Sequence, residues 1–307
     1  MSETIFFTVR FVLNAVRELT PFFLLSISVA SLIKTLKLEQ HFKRAFQGRQ
    51  AASVPIAAGT GAFSPLCSCG VIPAIAAMLA AGIPLAPIMA FWITSPLMSP
   101  ESFVLTYSIL GQEMAVARLL ATIAIGLIAG YSTLYLVRFG YLNQEVLKSF
   151  GNTREKAVET IIEDKLSRSE IRWLRFFQFM INAKDMGIFV GKYILVAFVL
   201  EALLVRYLPV EWVASLLGRG NEAGPLIAAL IGIPAYASSI SSMPVVRGLM
   251  DLGMDKGTAL AFMIGGAATS IPAMAAVFSI VKRKVFFLYL GYSLIGAVAS
   301  GYLYRML

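Results

Sequence analysis

The two cysteines of this chain stand one residue apart, in the run Phe63-Ser-Pro-Leu-Cys67-Ser68-Cys69-Gly70-Val-Ile-Pro73. Thiols and thioethers favour soft metals and metalloids, and Met78, Met89, Met98 and Met243 add thioethers to the same regions of sequence. Free cysteine also serves as a small buried apolar residue, so the pair reads either as a soft-ligand site or as close helix packing. Pro65 and Pro73 interrupt or start helices, and Gly70 permits a turn. The run therefore predicts an arm, an unwound tip and a second short helix. That helix opens with unpaired N–H groups and a partial positive charge. Such a tip can hold an anion or a polarised solute at mid-membrane, as discontinuous helices do in transporters.

Three further interruptions belong with it. Ile233-Pro234-Ala-Tyr236-Ala-Ser238-Ser239-Ile-Ser241-Ser242-Met243-Pro244 is a second tip, with four serines and no cysteine. Thr94-Ser95-Pro96-Leu-Met98-Ser99-Pro100 breaks one long apolar segment, and Gly265-Gly266-Ala-Ala-Thr269-Ser270-Ile-Pro272 breaks another. A single break of this kind reads as a Pro-kinked helix whose hydroxyls bond back to the backbone. Four breaks at paired positions predict a shared substrate site instead. It would be built from Cys67, Ser68, Cys69, Gly70, Ser95, Met98, Ser99, Ser238, Ser239, Ser241, Ser242, Thr269 and Ser270. Charge inside a membrane is costly and marks function, which makes Glu101 and Glu201 candidates for coupling. Arg247 and Asp251, four residues apart, predict a local ion pair. Arg118 and Lys192 lie near the ends of apolar segments, where a long side chain snorkels to the interface.

The composition fixes the solvent in which these elements fold. Of 307 residues 58% are hydrophobic and 14% charged, against roughly 25% charged in soluble domains. Residues 139–185 hold 15 of the 43 charged side chains, which leaves the rest nearly bare of charge. A soluble exterior could not be made from the remainder, which excludes a soluble enzyme, a nucleic-acid-binding module and a disordered chain. The net charge of +9 fits basic cytoplasmic loops. Two cysteines and one histidine exclude a disulfide scaffold and a His-rich metal centre, and no cofactor is called for. The N-terminal stretch lacks the pattern of a cleaved signal and reads as retained and partly amphipathic.

Apolar segments at about 19–37, 85–108, 114–138, 186–207, 257–281 and 284–305 reach or approach the ~20 residues a spanning helix needs. Residues 51–82 and 223–253 are apolar but broken in the middle, as in re-entrant hairpins. At an offset of 171, residues 56–99 match 227–270 at 11 of 44 positions, among them Gly61/Gly232, Pro73/Pro244, Gly82/Gly253 and Phe91/Phe262. An internal duplication follows. Each copy crosses the membrane an odd number of times, so the second enters upside down. Charge agrees: the turn 109–113 has no basic residue, whereas its counterpart at 282–284 is Lys-Arg-Lys.

The expected fold is an all-α polytopic membrane protein of two inverted repeats, each a broken re-entrant hairpin plus three transmembrane helices. Residues 1–138 form the first repeat and 186–307 the second. Residues 139–185 are a charged cytoplasmic connector, whose Glu/Lys spacing suits a solvated helix. The expected location is a bacterial inner membrane. The partners are the lipid bilayer and a small-molecule or ion substrate, not nucleic acid, and assembly into a homo-oligomer is left open.

The run SPLCSCGVIP, followed by GIPLAPIMAFWITSPLMSPESF, resembles the bacterial predicted-permease family that includes ArsP-type organoarsenical efflux proteins and YraQ-like permeases. The likeness extends through LLGRGNEAGPLIAALIGIP to GGAATSIP, nearly the whole chain. It implies an inner-membrane permease, and in the ArsP branch export of trivalent organoarsenicals through the cysteines, here Cys67 and Cys69. No Walker-type phosphate loop occurs, so an ion or solute gradient would drive transport. The rival readings are a small-anion or sulfur-compound transporter, a passive channel, a membrane thiol-redox protein and a purely structural scaffold.

Overall fold

A computed structural model describes residues 50–64, 71–80, 82–142, 222–235 and 239–307, with single positions at 6, 10, 13, 17, 196, 199 and 217. Ten helices lie in these segments. The first five are α1 (Gln50–Ala62), α2 (Val71–Ala80), α3 (Leu85–Leu97), α4 (Pro100–Leu110) and α5 (Gln112–Arg138). The second five are α6 (Gly224–Ala235), α7 (Ser239–Asp251), α8 (Lys256–Thr269), α9 (Ile271–Ile280) and α10 (Arg283–Met306). At the offset of the sequence repeat, α1–α5 fall on α6–α10 in order.

Local chemistry explains the boundaries. α2 and α7 end alike, at Gly82 with φ 76° and at Gly253 with φ 110°. Such left-handed angles suit a residue without a β-carbon. The closing hydrogen bonds also correspond: Gly82 N to Leu79 O and Ile83 N to Met78 O, then Gly253 N to Met250 O and Met254 N to Leu249 O. These are the paired bonds of a Schellman cap. α3 stops at Leu97 because Pro100 drives the residue before it out of the helical region. Met98 (φ −144°, ψ 134°) and Ser99 (φ −136°, ψ 161°) are extended. α8 and α9 are separated by Ser270 alone (φ −55°, ψ 148°), with a bend of 41°.

α5 and α10 are long and apolar enough to cross a membrane, and the bent α8–α9 pair makes a third candidate. At 27 residues α5 is about 40 Å long. The expected spans at 114–138 and 284–305 are these two helices. The segment 85–108 is instead split into α3 and α4. The segments expected at 19–37 and 186–207 and the connector 139–185 lie almost wholly outside the described residues. The arms expected on either side of each hairpin tip are present as α1 and α2, and as α6 and α7.

α3 and α8 sit at the centre, with nearly every residue buried. α1 and α5 pack on α3; α6 and α10 pack on α8. Small residues make these approaches close. A β-carbon on Gly130 would strike Val54, Ala90 and Ala86 O. One on its repeat counterpart Gly301 would strike Pro225, Ala261 and Gly257 O, the counterparts of those same three positions. Across the halves the packing is reciprocal: α7 lies on α4, and α2 lies on α9. Glu113 at the start of α5 meets Tyr304 near the end of α10, so the two long helices run antiparallel.

Candidate functional site

The break after α3 is held by an arginine. Arg118 on α5 is fully buried, donates from Nε to Leu97 O at 3.2 Å and from Nη1 to Thr106 Oγ1 at 3.0 Å. Thr106 in turn donates to Ser102 O at 2.6 Å. The Sδ of Met243, on α7 of the other half, lies 3.8 Å from Thr106 Oγ1. The expectation that Arg118 snorkels is therefore overturned. The residue stands well inside α5, and its chain turns inward to satisfy a carbonyl that the helix break leaves open.

The second break has the matching contact. Tyr289 on α10 is the repeat counterpart of Arg118, and Ala268 is the counterpart of Leu97. The Tyr289 hydroxyl donates to Ala268 O at 2.9 Å. Tyr289 is also buried, with its ring 5.1 Å from that of Trp92 on α3. Each long helix thus ties down the carbonyl end of one central helix, by a cation in one half and by a neutral hydroxyl in the other.

The expected site residues fall in different settings. Ser95, Met98, Ser242, Thr269 and Ser270 are buried, and Ser99 is half-buried. Ser99 caps α4, accepting from Ser102 N at 3.1 Å. Thr269 bonds back to Gly265 O at 2.6 Å, as Thr94 does to Ala90 O at 2.9 Å, which is the local role foreseen for hydroxyls at a kink. Among the described residues, Ser242 Oγ, Trp92 Nε1, Thr133 Oγ1 and Tyr292 OH are buried with no hydrogen-bond partner. An ordered water ordinarily satisfies such a group. Ser239 and Ser241 lie in α7. Cys67, Ser68, Cys69, Gly70, Ser238 and Glu201 lie outside the described residues. Glu101 is exposed in the first turn of α4. Arg247 and Asp251 form the expected ion pair at 3.2 Å.

Sequence reasoning gave Arg118 no part in the site and passed over Thr106, Trp92 and Tyr289. The signal for the first and last was present: at the repeat offset Arg118 and Tyr289 are equivalent polar residues in apolar helices, as are Thr122 and Ser293. Among the described residues no group of three or more His, Cys, Asp and Glu comes together to hold a metal.

Helices long and apolar enough to cross a membrane, packed around two broken central helices, fit a membrane protein. The chain belongs to the predicted-permease family of the ArsP type, whose sequence profile matches residues 7–306. It is similar to the UPF0718 protein YcgR of Bacillus subtilis, 22% identical over 291 residues that cover 94% of this chain and 93% of that protein. The UPF0718 protein MJ0584 of Methanocaldococcus jannaschii is 21% identical over 347 positions, covering 94% of this chain and 91% of that protein. No solved structure matches the chain significantly.

Proposed function

We propose that this protein is a multi-pass permease of the bacterial inner membrane that moves a small solute by alternating access. The solute would sit at mid-membrane, between the α3–α4 and α8–α9 breaks and the two hairpin tips. One observation carries this reading: each break is fastened to the long helix of its own half by an equivalent bond from a buried side chain, Arg118 to Leu97 O and Tyr289 to Ala268 O. A scaffold has no need for paired interruptions, each of which leaves backbone groups to be satisfied.

The two halves are read as inverted repeats with re-entrant hairpins. The antiparallel run of α5 against α10 and the reciprocal packing of α7 on α4 and α2 on α9 support this. Residues 139–185 would lie on the cytoplasmic face. Cys67 and Cys69 favour a thiophilic solute, exported in the manner of an organoarsenical. A gradient supplies the energy, with Glu101 and Glu201 as the acidic groups to test for coupling.

The test is saturable counterflow in proteoliposomes, guided by thermal shift against trivalent arsenicals, soft metal ions and sulfur oxyanions, since a bound ligand raises apparent stability. Saturable exchange supports the permease; single-channel currents would point to a passive channel. Unchanged transport after Cys67→Ser and Cys69→Ser together would discard the thiol site while leaving the permease standing.

A further inference from the structure

We infer that Trp92 contacts the solute, and that its indole N–H donates to an oxygen atom the solute carries. The inference rests on the permease reading and deepens it. Trp92 lies on α3 and is fully buried. Its ring centroid is 5.1 Å from that of Tyr289, whose hydroxyl donates to Ala268 O near the end of α8. The indole of the first half therefore stands beside the break of the second. Among the described residues nothing accepts from its Nε1. Tyr292, one turn beyond Tyr289 on α10, also buries a hydroxyl that has no partner, and residues three apart on a helix are neighbours on its surface. Two polar groups without partners thus adjoin the residue that ties down the second break.

Packing does not call for either group. Met263, the repeat counterpart of Trp92, is just as buried and carries only a thioether, and the counterpart of Tyr292 is Ala121. A buried donor left without an acceptor costs its full desolvation. A buried water serving the indole would itself need about three polar partners, of which the indole is one. An indole N–H donates and never accepts, so whatever binds it brings a lone pair. The oxygen of an oxyanion or of an arsenous acid supplies one, whereas a soft metal ion has none to offer. Tyr292, which both donates and accepts, suits a solute that presents hydroxyl as well as oxo groups.

The experiment uses the full-length protein in proteoliposomes. Thiosulfate, sulfite and phenylarsine oxide are the probes that bear oxygen; silver and cadmium ions are the probes without an acceptor. Benzothienylalanine in place of Trp92 puts sulfur where the N–H was and keeps the shape of the side chain. Trp92→Met copies Met263 and removes the donor by ordinary mutagenesis. For at least one oxygen-bearing probe, half-saturation should need about tenfold more solute in both, as when one hydrogen bond is lost, with the maximal rate nearly kept. In a protein with Trp173→Phe and Trp212→Phe, Trp92 is the sole tryptophan. Its emission should change saturably with that probe, over the concentrations that saturate exchange. Should Trp92→Met fail to fold, as judged by its melting profile, the benzothienyl protein decides. Unchanged half-saturation in the benzothienyl protein would mean that an ordered water alone serves the N–H, and overturns the inference. A wild type that exchanges silver or cadmium and none of the oxygen-bearing probes overturns it too. Both of those results leave the permease intact. No saturable exchange of any solute, with currents in its place, would sink the permease reading itself.

Discussion

Ile125 and Gly296, equivalent positions of the two halves, touch where α5 crosses α10: a β-carbon on Gly296 would lie 2.8 Å from both Cγ atoms of Ile125. The crossing therefore admits one bulky residue and needs its counterpart to be small. Gly296→Ala should lower the thermal stability of the detergent-solubilised protein by about 1–3 kcal/mol through overpacking. Adding Ile125→Ala should restore most of it. A Gly296→Ala protein as stable as the wild type would mean that the helices are not in contact at this point.

Two glycines of α1 give an internal comparison. A β-carbon on Gly61 would fall on Thr94 Oγ1 and lie 2.7 Å from Phe91 O, a backbone atom fixed by its own helix. Gly59, on the same helix, has nothing within 4 Å. Gly61→Ala should cost folding yield and stability, whereas Gly59→Ala should be neutral or stabilise by about 0.5–1 kcal/mol through helix propensity. A β-carbon on Gly232 would lie 3.0 Å from Phe262 O in the second half, so Gly232→Ala should behave like Gly61→Ala. Melting of the wild type beside the three purified variants checks the order.

The serines at the two breaks offer a second comparison. Ser99 accepts a hydrogen bond from Ser102 N, but Ser270, its counterpart, makes no capping bond with its side chain. Ser99→Ala should cost about 1 kcal/mol of stability, and Ser270→Ala distinctly less. Equal losses would show that capping is not what distinguishes the two positions.

At one end of α5, Glu113 joins the halves. Its two carboxylate oxygens accept from Lys256 Nζ at 2.7 Å and from Tyr304 OH at 3.1 Å. The equivalent positions, Lys284, Leu85 and Thr133, cannot form the same cluster. If the halves move against each other during transport, a tether here must stop them. In a protein with Cys67 and Cys69 replaced by Ser, Glu113→Cys with Tyr304→Cys should be joined by a short bifunctional thiol reagent. Counterflow should then cease and return when a reducible linker is cleaved. Unimpaired counterflow in the linked protein would exclude movement between these two helix ends.

How much of this was legible beforehand depends on the scale of the interaction. The break after α3 was readable because Pro100 acts on its own backbone and restarts a helix at its first position, whereas Pro55 and Pro244 lie inside helices. The turn at Gly82 and its copy at Gly253 are local for the same reason. Arg118 was misread because its position in an apolar helix fits two outcomes. A long side chain reaches either outward to the interface or inward to an open carbonyl, and that carbonyl belongs to a residue 21 positions earlier.

The sequence by itself determined that the chain lives in lipid, where its helices stop, and that their order recurs. Those follow from hydropathy, from backbone chemistry and from identity at a fixed offset, none of which needs a partner. Only the tertiary structure decided that α3 and α8 are central, that α5 and α10 run antiparallel, and that Arg118 and Tyr289 do one job with different charge. Each of these depends on which residues meet across long stretches of chain, and close packing of small residues settles that only once the helices have come together.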